Sequence, residues 1–217
     1  MRKLLIDKIN LMKDLLQKNK YYYITIFFFL LLGGVVLLSN SKADVTLWVN
    51  SLHSPFLDFL FLKFNIIGDV EFSIICIALI LVLKDWRLAL KAVCCFIAVM
   101  LVTQFMKYIL FSGTLRPILY FPESTLRLVD GVVQLTTESF PSGHTSASFS
   151  IATFFALYKS GRSWNFIFAF FALMVGYGRI YLSQHFITDV YVGMIVGVLI
   201  TTLVYFFYPK SLDVHAK

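Results

Sequence analysis

Charge is scarce in this chain: Asp and Glu number 12, and all charged residues together make up 14% of 217. Histidine is rarer, with four, and cysteine rarer still, with three. Cys76, Cys94 and Cys95 all lie inside apolar runs, where a thiol behaves as a small buried hydrophobe. No disulfide framework and no cysteine metal site is therefore expected. Internal repeats, low-complexity tracts and a second domain are also missing, which excludes solenoids and disordered linkers. What the chain has in excess is apolar surface: 59% apolar and 17% aromatic residues, with mean hydropathy +0.81. An ordinary soluble domain is about 45–50% apolar, and here the surplus is gathered into long runs, so an integral membrane protein is expected. The net charge of +7 does not point to nucleic acid, because the basic residues are spread over chain ends and short loops.

The runs predict an all-α membrane protein, a bundle of six transmembrane helices with an interfacial N-terminal helix. Residues 1–20 carry six Lys/Arg and two Asp, with Leu4, Leu5, Ile9, Met12, Leu15 and Leu16 near one helical face. They read as a basic amphipathic leader on an anionic cytoplasmic leaflet, or as a solvated topology signal. Residues 21–210 form the single membrane domain and residues 211–217 a cytoplasmic tail. The spans are expected at Tyr21–Ser39, from Ile66 or Asp69 to Leu83, Leu88–Leu110, from the Pro-Ser-Gly-His stretch to Tyr158, Trp164–Tyr181 and Val190–Tyr208. The short second span borrows residues from its neighbour or tilts little. Residues 44–68, broken by Pro55 and Gly68, read as an interfacial segment on the far side. Ser41-Lys42-Ala43 could pass for a signal-peptidase site, but the long leader favours an uncleaved anchor. Gly193 and Gly197 form a small-xxx-small step that would let a neighbouring helix approach closely.

Charge orients the bundle. With the N-terminus inside, 13 of the 19 Lys/Arg fall on the cytoplasmic side, so both termini are expected in the cytoplasm. Lys42, Lys63, Lys107, Arg116, Arg127 and Arg179 fall outside. Lys107, Arg116, Arg127 and Arg179 cluster around the outer ends of spans three to five, and charges near membrane depth tend to be functional.

The same outer end collects other chemistry. Ser139-Phe140-Pro141-Ser142-Gly143-His144-Thr145 looks like a helix entrance, with Pro141 at the first helical position. Ser142 and Gly143 then fall in the first turn, whose N–H groups and helix dipole suit an anion. Gly143 has no side chain to obstruct it. His185 and Asp189, four apart, share a helical face, so the carboxylate can fix the imidazole tautomer and leave the other nitrogen nucleophilic. Arg179 lies six before His185, a spacing that a turn around Ser183-Gln184 would reconcile. Three cations, a helix N-terminus, two histidines and one aspartate suit the binding and transfer of a dianionic phosphate. Lys107, Arg116 and Arg179 would neutralise charge, His185 would attack phosphorus, and His144 would protonate the leaving oxygen and then activate water. A His/His/Asp metal site is the rival, disfavoured by three nearby cations. No metal or other cofactor is called for.

With these residues in place, the chain resembles the type 2 phosphatidic acid phosphatase superfamily of membrane enzymes. That family carries Lys-x6-Arg-Pro, Pro-Ser-Gly-His and Ser-Arg-x5-His-x3-Asp in this order. Here they stand as Lys107-x8-Arg116-Pro117, Pro141-Ser142-Gly143-His144 and Arg179-x5-His185-x3-Asp189, with Gly178 in place of the usual Ser. The two extra residues of the first motif are absorbed by a Ser112-Gly113 turn, or Lys107 sits deeper and snorkels. The resemblance implies hydrolysis of a lipid phosphate monoester or pyrophosphate at the outer face of the cytoplasmic membrane, through a phosphohistidine. Undecaprenyl pyrophosphate, phosphatidylglycerol phosphate, phosphatidic acid and a lipid A phosphate are the candidate substrates. The partners are then this lipid and the bilayer. Two alternatives stand beside it: a lipid phosphate binding or transport protein that does not hydrolyse, and a haloperoxidase, since related soluble proteins hold vanadate in the same motif set.

Overall fold

The computed structural model describes residues 2–83, 86–159 and 161–208 and is all-helical there; the expected tail, residues 211–217, lies outside the described residues. Helix α1 (Arg2–Lys18) leads through Asn19 into α2 (Lys20–Ser39). Two shorter helices follow, α3 (Lys42–Asn50) and α4 (Pro55–Gly68), then α5 (Val70–Val82). Helix α6 (Trp86–Phe105) runs on into a π-helical segment, Met106–Leu110. A long loop holding the one-turn α7 (Pro117–Tyr120) leads to α8 (Gly143–Tyr158), α9 (Arg162–Tyr181) and α10 (Ile187–Phe207).

Among the described residues four helical stretches are long and apolar enough to cross a membrane: α2, α6 with its π segment, α9 and α10. The pair α4 and α5, bent by 57°, makes a fifth if counted as one broken span. The chain is therefore a multi-pass membrane protein. Within the expected segment 44–68 two helices form, because Ser41 and Ser54 each cap a new one, and the second, α4, makes with α5 the bent pair that is a broken span or a re-entrant loop. Of the six expected spans, α8 is the one that does not meet a membrane-crossing length: its 16 residues reach about 24 Å, against a hydrocarbon core of ~30 Å.

Helix α8 instead lies in the middle of the bundle, buried along most of its length. Its Ser, Ala and Thr residues make it thin, and α10 lies directly on it. A Cβ on Gly193 would stand 2.9 Å from the Ser142 carbonyl oxygen, and one on Gly197 2.6 Å from that of Ser146. The small-xxx-small step is thus used against α8. Hydroxyl pairs add interhelical bonds in the apolar interior: Tyr22 with Thr153 at 2.7 Å, Tyr23 with Thr202 at 2.8 Å, Thr201 with Ser150 at 2.8 Å. Cys95 is buried, while Cys76 and Cys94 are half-buried, all three as free thiols.

Candidate active site

The ends of α4, the π segment, α8, α9 and α10 and the loop 111–139 meet at one end of the bundle. The turn between α9 and α10 brings the third motif together. Ser183 takes a left-handed conformation (φ 54°), and the N–H groups of Gln184 and His185 both donate to the Arg179 carbonyl, at 3.0 and 3.2 Å. The chain folds back there, as the spacing of Arg179 and His185 required. His185, in the turn just before α10, and Asp189, in the first turn of α10, then meet across the Phe186 N-cap, Nδ1 to Oδ2 at 3.4 Å, and both are buried.

The Asp189 carboxylate is well held. Ser139 donates to Oδ2 at 2.5 Å, the Phe186 N–H at 3.0 Å, and Thr188 donates to Oδ1 at 3.0 Å. Burial pushes the His185 pKa well below its ordinary value; the Asp189 bond opposes this, and the charges of Arg116 and Arg179 add to the fall. A neutral ring that gives its Nδ1 proton to Asp189 keeps a lone pair on Nε2. Arg116 Nη1 stands 3.4 Å from that Nε2.

The three expected cations are all buried. Lys107 donates to the Glu138 carbonyl at 2.6 Å, and Arg116 Nη2 shares that oxygen at 3.4 Å. Arg116 also donates through Nε to Thr137 O at 2.9 Å and through Nη1 to Gln184 O at 3.2 Å. Burial lowers the Arg116 pKa from its ordinary value, with Asp189 pushing back. Arg179 donates to Asn65 Oδ1 and, at 3.2 Å, to Gln184 Oε1, while its buried Nε has no partner among the described residues. These acceptors are uncharged oxygens. They fix the cations without neutralising them, and buried charge left uncompensated is costly until an anion arrives.

The longer first motif is accommodated twice over. The π segment carries Lys107, and Gly113 turns the chain in the left-handed region (φ 76°). Glu138 accepts from the Gly113 N–H at 3.0 Å and helps fix the turn. Arg127 does not join the cluster. It pairs with Asp58 through both terminal nitrogens, at 2.8 and 3.2 Å, and Tyr181 donates to the same carboxylate at 2.6 Å.

The second motif differs in detail from expectation. Helix α8 starts at Gly143, not Pro141, with Ser142 as its N-cap. The Ser142 N–H donates to the Asp189 carbonyl at 3.0 Å, and its Oγ accepts from Thr145 Oγ1 at 2.9 Å. Ser142 thus ties α8 to α10, and the first-turn N–H groups at the start of α8 belong to Gly143 and His144. A Cβ on Gly143 would meet nothing within 4 Å. Gly178 has a packing reason: a Cβ there would lie 3.1 Å from the Phe61 ring. His144 Nε2 lies 2.7 Å from Asp69 Oδ1, a contact that no spacing in the sequence announced. Arg116 and Arg179 act electrostatically on both histidines. Asn65, Asp69, Ser139 and Gln184 are the residues that motif reading missed. The nearest available signal was Asp69 itself, a carboxylate directly after a glycine in an apolar stretch. Beside the site, an apolar cavity of about 560 Å³ lies between α2, α9 and α10. Its wall includes Ile180 and Ile187, which bracket the turn that carries His185.

This fold and this cluster define a multi-pass helical membrane protein of one known family. The model of the PAP2 superfamily matches residues 88–213, more than half of the chain, and the chain belongs to that superfamily. It is 34% identical over 97 residues to the Bacitracin transport permease protein BcrC of Bacillus licheniformis, covering 44% of this chain and 47% of that one. Over 111 residues it is 31% identical to the Probable lipid phosphate phosphatase 4 of Arabidopsis thaliana, covering 43% and 36%. The matched stretch spans less than half the length of these curated relatives. The crystal structure of LpxE from Aquifex aeolicus superposes with TM-score 0.65 at 22% identity, over 74% of this chain and 92% of that one. The first transmembrane PAP2 type phosphatidylglycerolphosphate phosphatase from Bacillus subtilis gives 0.62 at 23%, over 85% and 94%. Both share the fold.

Proposed function

We propose that the protein is a membrane lipid phosphatase that works without a metal, through a phosphohistidine. The observation that carries this is the buried His185–Asp189 pair set beside cations whose own acceptors are uncharged. In the first step His185 Nε2 attacks phosphorus. The N–P bond forms, the bond to the leaving oxygen breaks, and that oxygen takes a proton from His144. Water then attacks phosphorus, His144 takes its proton, the N–P bond breaks, and inorganic phosphate leaves. Lys107, Arg116, Arg179 and the N–H groups of Gly143 and His144 hold the equatorial oxygens throughout. Ser142 serves this arrangement by fixing the helix start. Three cations around one anion site would repel a divalent ion, which favours this scheme over metal-assisted hydrolysis.

A lipid substrate fits the apolar cavity that opens beside the His185 turn, and lipid phosphates are named among the curated relatives. Undecaprenyl pyrophosphate, phosphatidylglycerol phosphate, phosphatidic acid and a lipid A phosphate remain the candidates. The distribution of Lys and Arg supports an outward-facing site with both termini in the cytoplasm. Counting α8 as a short sixth span, sheltered within the bundle, makes that topology consistent. Residues 1–20 then lie on the inner leaflet, residues 21–210 form the phosphatase domain, and residues 211–217 are a tail.

The test is phosphate release by the purified protein and its His185→Ala variant against a panel of lipid phosphates, with and without chelator. Wild-type turnover that resists chelation, falling by more than about 10⁴-fold in the variant, is expected. Retained turnover in the variant, or a strict metal requirement, overturns the scheme.

A further inference from the structure

The structure assigns Asp69 as a positioning residue for His144, completing a second Asp–His pair opposite Asp189–His185. This inference rests on the phosphatase reading above. The contact is short, 2.7 Å from Oδ1 to Nε2, against 3.4 Å in the His185 pair. It also depends on features that have no other evident use. Helix α4 ends at Gly68, and Asp69 takes extended backbone (φ −71°, ψ 150°) where the two half-helices bend by 57°. Asp69 stands at the N-cap of α5, a place where an aspartate ordinarily caps a backbone N–H. Its side chain makes no such bond and reaches the imidazole instead. Gly68 permits this: a Cβ there would stand 3.0 Å from His144 Cβ and 2.8 Å from Val175 Cγ1. Any side chain at position 68 would push the bend away from the ring.

The two partners are about a third exposed, 31% for the His144 side chain and 34% for Asp69, whereas His185 is at 1%. The pair therefore fronts the site, as a group exchanging protons with a leaving oxygen and with water must. With Nε2–H given to Asp69, Nδ1 is the nitrogen that meets those oxygens. When Nδ1 is protonated, the ring becomes an imidazolium near Arg179 and Arg116. The Asp69 carboxylate offsets that like-charge repulsion and is the negative group the step needs. Asp69 lies outside the residues matched by the family model, which begin at 88.

A positioning role through a general acid has a signature that a packing role lacks. Protonation matters greatly for an alkoxide leaving group and little for a nitrophenolate, which departs as the anion. The experiment measures phosphoenzyme formation from dioctanoyl phosphatidic acid and from p-nitrophenyl phosphate in wild type and Asp69→Asn. The variant is expected to lose about 100-fold on the alkyl ester, the lower end of a general-acid contribution. Its loss on the aryl ester should be smaller by at least about tenfold. In the His144→Ala background Asp69→Asn should cost nothing more, because its effect passes through the missing ring. Equal losses on both esters, no loss on either, or additive losses in the double variant would each overturn the assignment. Absence of phosphate release by wild type from every lipid phosphate tested sinks the phosphatase reading instead, so the two failures are distinguishable.

Discussion

Adding a single methyl group to α10 tests how the site is held. In Gly197→Ala the new Cβ would lie 2.6 Å from Ser146 O, 2.8 Å from Phe149 Cβ and 3.1 Å from Ser150 N. The shortest of these is about 0.8 Å inside ordinary contact. Two of the three atoms belong to the α8 backbone and cannot rotate aside. Overpacking of this kind costs about 1–3 kcal/mol, and the short backbone contacts place it toward the upper end. Alanine's better helix propensity returns about 1 kcal/mol. The clash wins, by about 1–2 kcal/mol, and relief requires α10 to move off α8. One turn further along, the Ser142 N–H to Asp189 O bond of 3.0 Å joins the same two helices. A shift of about 0.8 Å takes it beyond hydrogen-bonding range. Asp189 and His185 move with α10, and a misplacement near 1 Å costs about 10²-fold in turnover. The assay pairs thermal unfolding in detergent with phosphate release from a lipid phosphate. Gly34→Ala is the control, since its Cβ would meet the Tyr191 hydroxyl at an ordinary 3.5 Å. Wild-type midpoint and turnover in Gly197→Ala, or an equal loss in both variants, would refute the reasoning.

Other outcomes follow from the same geometry. Ser139→Ala removes the 2.5 Å donor to Asp189; kcat should fall by about tenfold or more with KM little changed, and unchanged kcat counts against a working Asp189. Lys107→Met should lower kcat/KM by about 10–100-fold, whereas a lysine that merely snorkels would leave the kinetics alone. Stability should depend on pH through His185, whose pKa burial holds well below 6.5. The unfolded chain then binds a proton that the folded chain excludes, so stability is lost as pH falls through 6.5 and below. The unfolding midpoint should drop on acidification, and drop less in His185→Asn. Equal drops would argue against a buried neutral imidazole.

The parts that were legible in the sequence are those written in local spacing. His185 and Asp189 meet because they are four apart, though across the start of α10 and not on one helical face, and the fold-back at Ser183–Gln184 was implied by the five residues between Arg179 and His185. Gly193 and Gly197 announced a close helix contact without saying which helix receives it. The start of α8 was misjudged by two residues, because Pro141 and Ser142 both suit a helix entrance and only Asp189, 47 positions later, fixes Ser142 as the cap. Asp69 was invisible for the same reason: its partner lies 75 positions away, and a charge beside a glycine also reads as an ordinary span boundary. Asn65 and Gln184 are polar residues without a motif, made relevant only when Arg179 comes to rest between them.

The π-helical stretch at Met106–Leu110 has an implication for how kinship is traced in this superfamily. A widened turn absorbs surplus chain inside the helix wall, so the lysine can keep its post while the connecting loop grows. The gap between lysine and arginine is then an elastic tether, not a ruler. Searches that insist on a fixed interval will overlook members whose cationic pocket is nonetheless complete.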